Sequence, residues 1–255
     1  MLISLAGRSA LITGGSQGLG LAMAKRFGEA GANVAIVARR PEVLAEAQAS
    51  LEATVTGKVL SVPCDVRDPA ALQAAFAAAE QAFGAVDILV NNAGGAVAKP
   101  FEKVTDEEWA NDIELKLMAA IRMIRLALPG MKARRWGRII NVLNSYAKAP
   151  QPNSMPTSVT RAAGLAVTKA LAGEVGPFNI TVNGMLTGLF MTEQIRKLVA
   201  TRGEAALDPL KARIPLGRIG DPEEFANLAC FLASEEGGYV TGLGLNIDGG
   251  SSPVA

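Results

Sequence analysis

The stretch "TGGSQGLG" (residues 13–20) follows a short apolar run, "SALIT" (9–13), and leads into an amphipathic segment. Gly14 permits a tight turn, Gly18 lets the backbone approach a pyrophosphate, and Gly20 lets a helix pack close to the strand. The free backbone amides at the start of that helix then face the phosphates. Glycines at this spacing between a strand and a helix predict a dinucleotide-binding βαβ unit.

The same alternation of short and long segments continues along the 255 residues of the chain. Seven short runs rich in valine, isoleucine and leucine are predicted strands: 9–13, 33–38, 58–65, 86–91, 137–143, 179–185 and 244–248. Between the first six lie predicted helices, among them 18–30, 41–53, 69–83, 105–133 and 155–175. We therefore predict an α/β fold: a single Rossmann domain, residues 1–255, with a doubly wound parallel sheet of about seven strands and helices on both faces.

The composition narrows the range of partners. Lys plus Arg number 25 against 24 for Asp plus Glu, so no global field favours nucleic acid or an anionic membrane. No uncharged run is long enough to span a bilayer, and the N-terminus lacks a basic region followed by an apolar one. We expect a soluble, cytoplasmic protein that acts on a small molecule, with no nucleic-acid or membrane partner.

Histidine and cysteine usage excludes several chemistries. The chain has no histidine, which removes Ser-His-Asp hydrolysis and most metal sites. Cys64 and Cys230 lie far apart and match no metal or redox spacing, so we expect buried thiols in a reducing compartment. No metal is predicted.

The end of the second predicted strand indicates the cofactor. In "VARRPE" (37–42), Ala38, Arg39 and Arg40 stand where an acidic residue would hold the adenosine ribose hydroxyls. Guanidinium groups favour a ribose 2′-phosphate, so NADP(H) is predicted over NAD(H), with Arg39 as the main phosphate contact. The alternative is that both arginines are solvated residues at a helix start.

Further motifs extend the pattern to the whole chain: "CDV" (64–66), "NNAG" (91–94), "ITVN" (180–183), "IPLGRIGDPEEFANLACFLAS" (214–234) and "GYVTGLGLNIDGG" (238–250). Together with the glycine loop, they resemble the short-chain dehydrogenase/reductase (SDR) family in order and spacing, and are most similar to its ketoacyl-carrier-protein reductase-like branch. The resemblance implies an NADP(H)-dependent oxidoreductase acting on a carbonyl or alcohol, with 3-oxoacyl-like compounds among the candidate substrates. It also implies a homotetramer or homodimer, with pairing through 105–133, 155–175 and the C-terminal segment.

The resemblance also implies cofactor contacts, position by position. The predicted phosphate contacts are Gly14, Ser16, Gln17, Gly18 and Leu19; the adenine contacts are Asp65 and Val66; the nucleotide wall is Asn92, Ala93 and Gly94; and the nicotinamide end is Gly188, Leu189 and Thr192. For Asn91, a structural role that ties the fourth strand to its neighbour is favoured at least as much as direct cofactor contact. Residues 189–213 would form a substrate lid.

The catalytic positions depart from the family pattern. Family members that reduce carbonyls use an asparagine in the fourth helix, a serine after the fifth strand, and a tyrosine and lysine one helical turn apart. The flanking "GRIIN" (137–141) and "AAGLAVTKALAGEV" (162–175) align without a length change, so the serine, tyrosine and lysine positions hold Asn144, Thr157 and Arg161. In the fourth helix, "EEWANDIELKL" (107–117) places Lys116 at the asparagine position. All four differ from the family set.

The replacements change the available acids. The hydroxyl of Thr157 is far less acidic than a phenol, and Arg161 stays charged, so it can bind ribose hydroxyls without relaying a proton. Asn144 can donate a hydrogen bond to a carbonyl, and Lys116 can carry a proton if it is partly desolvated. The loop after the fifth strand offers Tyr146 and Lys148 as substitutes, with a half-buried aromatic and a solvated tip as the alternatives.

Three functions remain open from the sequence. The first is an NADP(H)-dependent oxidoreductase with a rebuilt proton-transfer site. The second is non-redox chemistry in the same scaffold, such as elimination, C–C cleavage or decarboxylation. The third is a non-catalytic, nucleotide-binding regulatory protein.

Overall fold

The structure is a computed structural model that describes residues 3–95 and 97–255. Seven parallel strands form one sheet in the order β3-β2-β1-β4-β6-β8-β9. Their bounds are β1 (Ser9–Thr13), β2 (Asn33–Ala38), β3 (Val59–Pro63), β4 (Ile88–Asn91), β6 (Gly137–Asn144), β8 (Ile180–Thr187) and β9 (Gly244–Ile247). Two short strands, β5 (Ala98–Lys99) and β7 (Met155–Pro156), pair antiparallel outside this sheet.

Nine α-helices accompany the strands in the described ranges. They are α1 (Gly18–Glu29), α2 (Pro41–Glu52), α3 (Pro69–Phe83), α4 (Asp106–Ile113), α5 (Ala119–Arg134), α6 (Thr157–Val175), α7 (Glu193–Arg202), α8 (Asp208–Lys211) and α9 (Pro222–Ala233). The parallel sheet flanked by helices confirms the predicted Rossmann fold.

The central strands are buried on both faces, which explains their continuous apolar sequences. Ile12 of β1 and Ile36 of β2 pack with α1, α2 and α9, whereas the neighbouring Leu11 and Val37 pack with α3 and α5 on the other side. Successive side chains of a strand point to opposite faces, so each strand contributes to two cores.

The strand order reverses at β1, which lies between β2 and β4. In an open parallel sheet, the crevice at such a reversal, beyond the carboxyl ends of the strands, is where ligands bind. The glycine loop follows β1 and the "NNAG" motif follows β4, so the topology brings the two motifs together.

Two of the predicted helices need correction. The predicted helix 105–133 is interrupted by a π-helical turn at Glu114–Met118, and Thr105 is the capping residue before α4 rather than part of it. The predicted helix 155–175 begins at Thr157, because residues 155–156 pair with β5. The other predicted segments agree with the structure to within about two residues at each end, the usual variation at frayed element ends.

No helix in the described ranges is long and apolar enough to cross a membrane. The described part of the chain contains no cluster of metal-ligating side chains. Cys64 and Cys230 are both buried and unpaired, and burial raises the pKa of the Cys64 thiol to about 11.

Candidate active site

The glycine loop is shaped by close backbone contacts. Gly14 adopts a φ of +67°, a conformation that favours glycine, and a Cβ on Gly20 would lie 2.2 Å from the Gly14 carbonyl oxygen. The capping residue of α1, Gln17, makes no side-chain capping bond. The first backbone amides of α1 therefore remain available to an anion.

The end of β4 braces this loop. Asn92 Nδ2 donates to the carbonyl oxygens of Thr13 and Gly14 at 3.0 and 3.1 Å. Thr13 Oγ1 accepts from the backbone amides of Asn92 and Ala93, both at 3.0 Å. The Asn92 side chain thus holds the turn that would cradle the phosphates.

Asn91 fills the structural role that the sequence left open. Its Nδ2 donates to Asn141 Oδ1 at 2.9 Å, and Asn141 Nδ2 donates to Thr168 Oγ1 at 2.9 Å. These bonds tie β4 to β6 and then to α6.

A cavity of about 220 Å³ lies beside the glycine loop at the end of β2, with Arg39, Arg40, Val66 and Ala93 in its wall. Arg40 Nη2 donates to Gln17 Oε1 at 2.6 Å, while Arg39 is an exposed wall residue.

The Asp65 carboxylate, predicted to meet the adenine, is engaged by a neighbour. Arg67 donates to both of its oxygens through Nε and Nη2, and this hydrogen-bonded pair lowers the pKa of Asp65 to about 2. Asp65 therefore stays charged and is held in place beside this cavity, between the wall residues Cys64 and Val66.

A second cavity, of about 400 Å³, connects the glycine loop to the catalytic positions. Its wall includes the predicted residues Ser16, Gln17, Leu19, Asn92, Gly94, Asn144, Thr157 and Arg161, together with Thr187 and Gln194, which were not predicted. The structure thus brings three of the four catalytic candidates to one cavity. The fourth, Lys116, lies behind the cavity wall with its side chain 1% exposed.

The Thr157 hydroxyl uses all its hydrogen-bonding capacity. It donates to the carbonyl oxygen of Val97 at 2.7 Å and accepts from the Val97 amide at 3.2 Å. Its remaining lone pair accepts from Lys116 Nζ at 2.8 Å. The hydroxyl therefore joins the cavity to the buried ammonium group.

Lys116 belongs to a buried polar cluster between α4 and α6. Its ammonium group forms an ion pair with Asp112 Oδ1, and Thr160 Oγ1 donates to Asp112 Oδ2 at 2.7 Å. Burial lowers the pKa of Lys116, Asp112 opposes this shift through its hydrogen bond and charge, and the positive charge of Arg161 adds to it. The result is a lysine that is a stronger acid than one in water.

Arg161 lies against the nucleotide wall. Its Nη1 donates to the Val142 carbonyl oxygen at 2.7 Å. Its Nη2 packs against Gly94, where a Cβ would lie only 2.7 Å away, so a larger residue at position 94 would collide with the guanidinium group. Arg161 Nε is buried with no hydrogen-bond partner among the described residues. Burial lowers the pKa of Arg161 to about 10, so it remains cationic at neutral pH.

The loop after β6 presents one polar group to the cavity. Asn144 lines it, and Asn144 Oδ1 is buried with no partner in the described structure. Tyr146 is partly exposed and is absent from the cavity wall, and Lys148 Cε packs towards Gly244 of β9. The loop therefore supplies Asn144 rather than the two substitutes considered above.

The predicted nicotinamide-end residues take different positions. A Cβ on Gly188 would lie 2.5 Å from Asp248 Cα, so this glycine allows a close backbone approach to the end of β9. If Gly18 carried a Cβ, that atom would lie 3.5 Å from Thr192 Cγ2, so Thr192 lies beside the glycine loop. Leu189 is 38% exposed.

Asp112 and Thr160 are not among the site residues predicted from the sequence. A signal was present for Asp112, because an acidic residue four positions before a lysine on a helix forms an ion pair. Thr160 gave no comparable signal, because its partner Asp112 lies 48 positions away.

Comparison with known proteins identifies the family. The sequence model of a family described as enoyl-(acyl carrier protein) reductase matches residues 14–252. A 3alpha-hydroxysteroid dehydrogenase of Mediterraneibacter gnavus is 36% identical over 254 residues, covering 98% of each protein. The chain belongs to the short-chain dehydrogenase/reductase family of oxidoreductases.

Two solved structures bear on the site. L-sorbose reductase from Gluconobacter frateurii, complexed with NADPH and L-sorbose, superposes with a TM-score of 0.95 at 36% identity over the whole of both chains. An NADPH-bound short-chain oxidoreductase from Pseudomonas aeruginosa PAO1, described as containing an atypical catalytic center, gives a TM-score of 0.94 at 35% identity, covering 99% of this chain and 100% of its own.

The geometry of this chain fits a dinucleotide of the same kind. The uncapped start of α1 leaves backbone amides for a pyrophosphate, and the missing side chain of Gly20 lets α1 pack directly against the turn at Gly14. Asn144 Oδ1 and Arg161 Nε, from two residues of the cavity wall, are buried polar atoms without a partner among the described residues, as expected of atoms left free for a ligand.

Proposed function

We propose that this protein is an NADP(H)-dependent oxidoreductase that interconverts a carbonyl and an alcohol, with Thr157 and Lys116 in place of the family's tyrosine as the proton path. The observation that carries the proposal is the 2.8 Å hydrogen bond from the buried Lys116 Nζ to Thr157 Oγ1, whose side chain lines the cavity. Bound NADP(H) would supply or accept the hydride.

The cofactor would lie along the two cavities. Ser16, Gln17, Gly18 and Leu19 would hold the pyrophosphate, Arg39 the ribose phosphate, and Arg161 the nicotinamide ribose. The absence of an acidic side chain at positions 38–40 supports NADP(H) over NAD(H), as do the NADPH complexes of the related structures.

Proton transfer would take two linked steps. The Thr157 hydroxyl gives its proton to the substrate oxygen as the carbonyl is reduced, and Lys116 Nζ gives a proton to Thr157 Oγ1. An aliphatic hydroxyl is too weak an acid to act alone, but a coupled ammonium group of lowered pKa is matched to this role. Alcohol oxidation uses the same path in reverse.

One rotation prepares the hydroxyl. Its hydrogen now points to the Val97 carbonyl oxygen, and turning about the Cβ–Oγ bond redirects it into the cavity while Lys116 keeps its hydrogen bond. The Val97 contact thus fixes Thr157 Oγ1 in position until a substrate oxygen competes for the hydrogen.

Two further residues would bind and orient the reactants. Asn144 would form a hydrogen bond to the substrate oxygen, in the role of the family's serine. Arg161 would add a fixed positive charge next to the reacting carbonyl. It would not relay a proton, because it remains cationic at neutral pH.

The substrate would enter beneath residues 189–213, the proposed lid. Its helices α7 and α8 pack through a small apolar cluster of their own, formed by Met191, Ile195, Leu207 and Leu210 among others. Gln194 is the α7 residue in the cavity wall. A 3-oxoacyl-like compound is one candidate substrate, and a sugar ketone or a steroid ketone is suggested by the names of the relatives.

A nucleotide-binding protein without turnover is the second candidate, and the saturated Thr157 hydroxyl favours it. The double substitution Thr157→Tyr with Arg161→Lys restores the usual family pair and separates the two. Loss of an existing activity supports a working Thr157 site, whereas a large gain of reductase activity supports a silenced one.

We propose a cytoplasmic homotetramer or homodimer. Ile113 and Val159 are exposed apolar residues on the helices expected to pair, and Tyr239 and Leu243 are exposed near the C-terminal segment. Light scattering after size-exclusion chromatography tests the assembly, and a monomer would contradict it.

The activity is tested by NADPH oxidation with a carbonyl panel containing a 3-oxoacyl thioester, a ketose and a steroid ketone. We expect turnover of at least one, with NADPH preferred to NADH. No oxidation above background across the panel, with NADPH bound, would contradict an oxidoreductase. Product formation with no net change in NADPH would instead indicate non-redox chemistry.

A further inference from the structure

We propose that Asp112 and Thr160 form a positioning pair that holds the Lys116 ammonium group against Thr157 Oγ1 and keeps it protonated. This inference rests on the proposed function, because it explains how Lys116 serves as the proton donor. Neither residue touches the cavity, so both act through Lys116.

The pair bridges two helices. Asp112 lies one turn before Lys116, and Thr160 lies one turn after Thr157 at the start of α6. The Asp112 carboxylate contacts Lys116 through Oδ1 and accepts from Thr160 through Oδ2, at 2.7 Å. All four residues are buried, so water does not compete for these bonds.

The carboxylate balances an excess of positive charge. The charged groups that face Lys116 in the described structure are Asp112 from its own helix and Arg161 from α6. Two cations next to a single carboxylate leave the cluster dependent on Asp112, because an unpaired buried cation is costly. Without Asp112, burial and Arg161 both favour the neutral amine, which has no proton to donate.

Thr160 fixes the carboxylate in its bridging orientation. Its hydroxyl has one hydrogen, which it donates to Asp112 Oδ2, while the Thr157 carbonyl oxygen lies 3.1 Å from the same hydroxyl. Replacing the hydroxyl with a methyl group removes this support but leaves the Asp112 charge in place. Loss of Thr160 should therefore weaken the effect of Asp112 without abolishing it.

The test is a titration of Lys116 in the ligand-free protein by NMR with [13Cε]lysine. The Lys116 signal is assigned as the one absent from Lys116→Met. We expect Asp112→Asn to lower the pKa of Lys116 by about one unit or more. The alkaline fall in kcat/KM for carbonyl reduction should move to lower pH by the same amount.

Thr160 provides a second test if Asp112→Asn fails to fold. We expect Thr160→Val to lower the pKa of Lys116 by less than Asp112→Asn does, and Thr160→Ser to restore the wild-type value. NADPH affinity should be unchanged in all three variants, because none of these residues lines the cofactor cavity.

The proposed positioning pair is overturned if the pKa of Lys116 is unchanged in Asp112→Asn. If that variant does not fold, an unchanged Lys116 pKa in Thr160→Val overturns it. A uniform loss of rate with no shift along the pH axis also overturns it. Failure of the proposed function is a separate result: Lys116→Met would then retain full reductase activity, while the NMR titration would still report on the pair.

Discussion

Lys116 Nζ and Thr157 Oγ1 lie 2.8 Å apart, although the two residues are 41 positions apart in sequence and belong to different helical segments. Lys116 sits in the π-helical turn after α4, and Thr157 is the first residue of α6. π-Helical turns occur mostly inside α-helices and frequently at functional sites. This contact joins a buried cation of lowered pKa to a hydroxyl in the cavity wall.

Removing the ammonium group should stop catalysis without affecting cofactor binding. We expect Lys116→Met to lower kcat by about 100-fold or more, the usual loss when a general acid is removed. The Kd for NADPH, measured by fluorescence, should be unchanged because Lys116 lies behind the cavity wall. Lys148→Met is the matched control and should retain full activity, since Lys148 packs towards Gly244. Equal activity of both variants would argue against the proposed path.

The Thr157 hydroxyl should be needed for both stability and activity. Thr157→Val keeps the shape but leaves the Val97 amide and Lys116 Nζ without their acceptor, which should cost about 1–3 kcal/mol in the free energy of unfolding. Its reductase rate should fall as in Lys116→Met. Thr157→Ser keeps the hydroxyl and should retain most of the stability and most of the reductase activity. Urea denaturation measures the stability, and initial rates measure the activity. A fully active Thr157→Val would be incompatible with proton transfer through this oxygen.

Cofactor preference should depend mainly on Arg39. We expect Arg39→Ala to weaken NADPH binding by about tenfold, the loss of one charge-assisted hydrogen bond. NADH, which lacks the ribose phosphate, should bind as before. Arg40→Ala is the comparison variant and should have a smaller effect, because Arg40 is already bonded to Gln17. Calorimetric titration with NADPH and NADH measures these affinities. A larger loss of NADPH affinity in Arg40→Ala than in Arg39→Ala would make Arg40 the main phosphate contact.

The phosphate cradle should not tolerate a side chain at Gly20. A Cβ there would lie 2.2 Å from the Gly14 carbonyl oxygen, so Gly20→Ala should destabilise the protein by about 1–3 kcal/mol and weaken NADPH binding. Gly176→Ala, at a position with open space around it, is the control and should leave binding unchanged. Thermal unfolding with and without NADPH gives both quantities. A Gly20→Ala variant with wild-type affinity would show that the loop does not hold the pyrophosphate.

The sheet and the phosphate loop could be predicted because their signals are local. A parallel strand buried on both faces has a continuous apolar sequence, as in "NVAIVA" (33–38), and a glycine turn is visible in the residues that form it. Fold and family therefore followed from short stretches read in order.

The proposed proton path was only partly predictable, because it depends on contacts between distant segments. Lys116 was a candidate by its position, but its bond to Thr157 joins the π-helical turn to the start of α6, 41 positions away in the sequence. Asn92 shows the same limit: its motif predicts a cofactor contact, but nothing in the motif indicates that its side-chain amide also braces the turn at Gly14. A sequence pattern places such a residue at the site without determining which of its atoms are already engaged.

The most direct test of the central claim is the pH dependence of kcat/KM for carbonyl reduction in the wild-type protein and in Lys116→Met. A donor must be protonated, so the wild-type rate should fall as the pH rises through the Lys116 pKa. Because burial lowers that pKa, the fall should occur below about 10.4, the ordinary value for lysine. In Lys116→Met the alkaline fall should disappear, leaving a low and nearly constant rate. An unchanged alkaline fall and an unchanged rate in Lys116→Met would contradict the account.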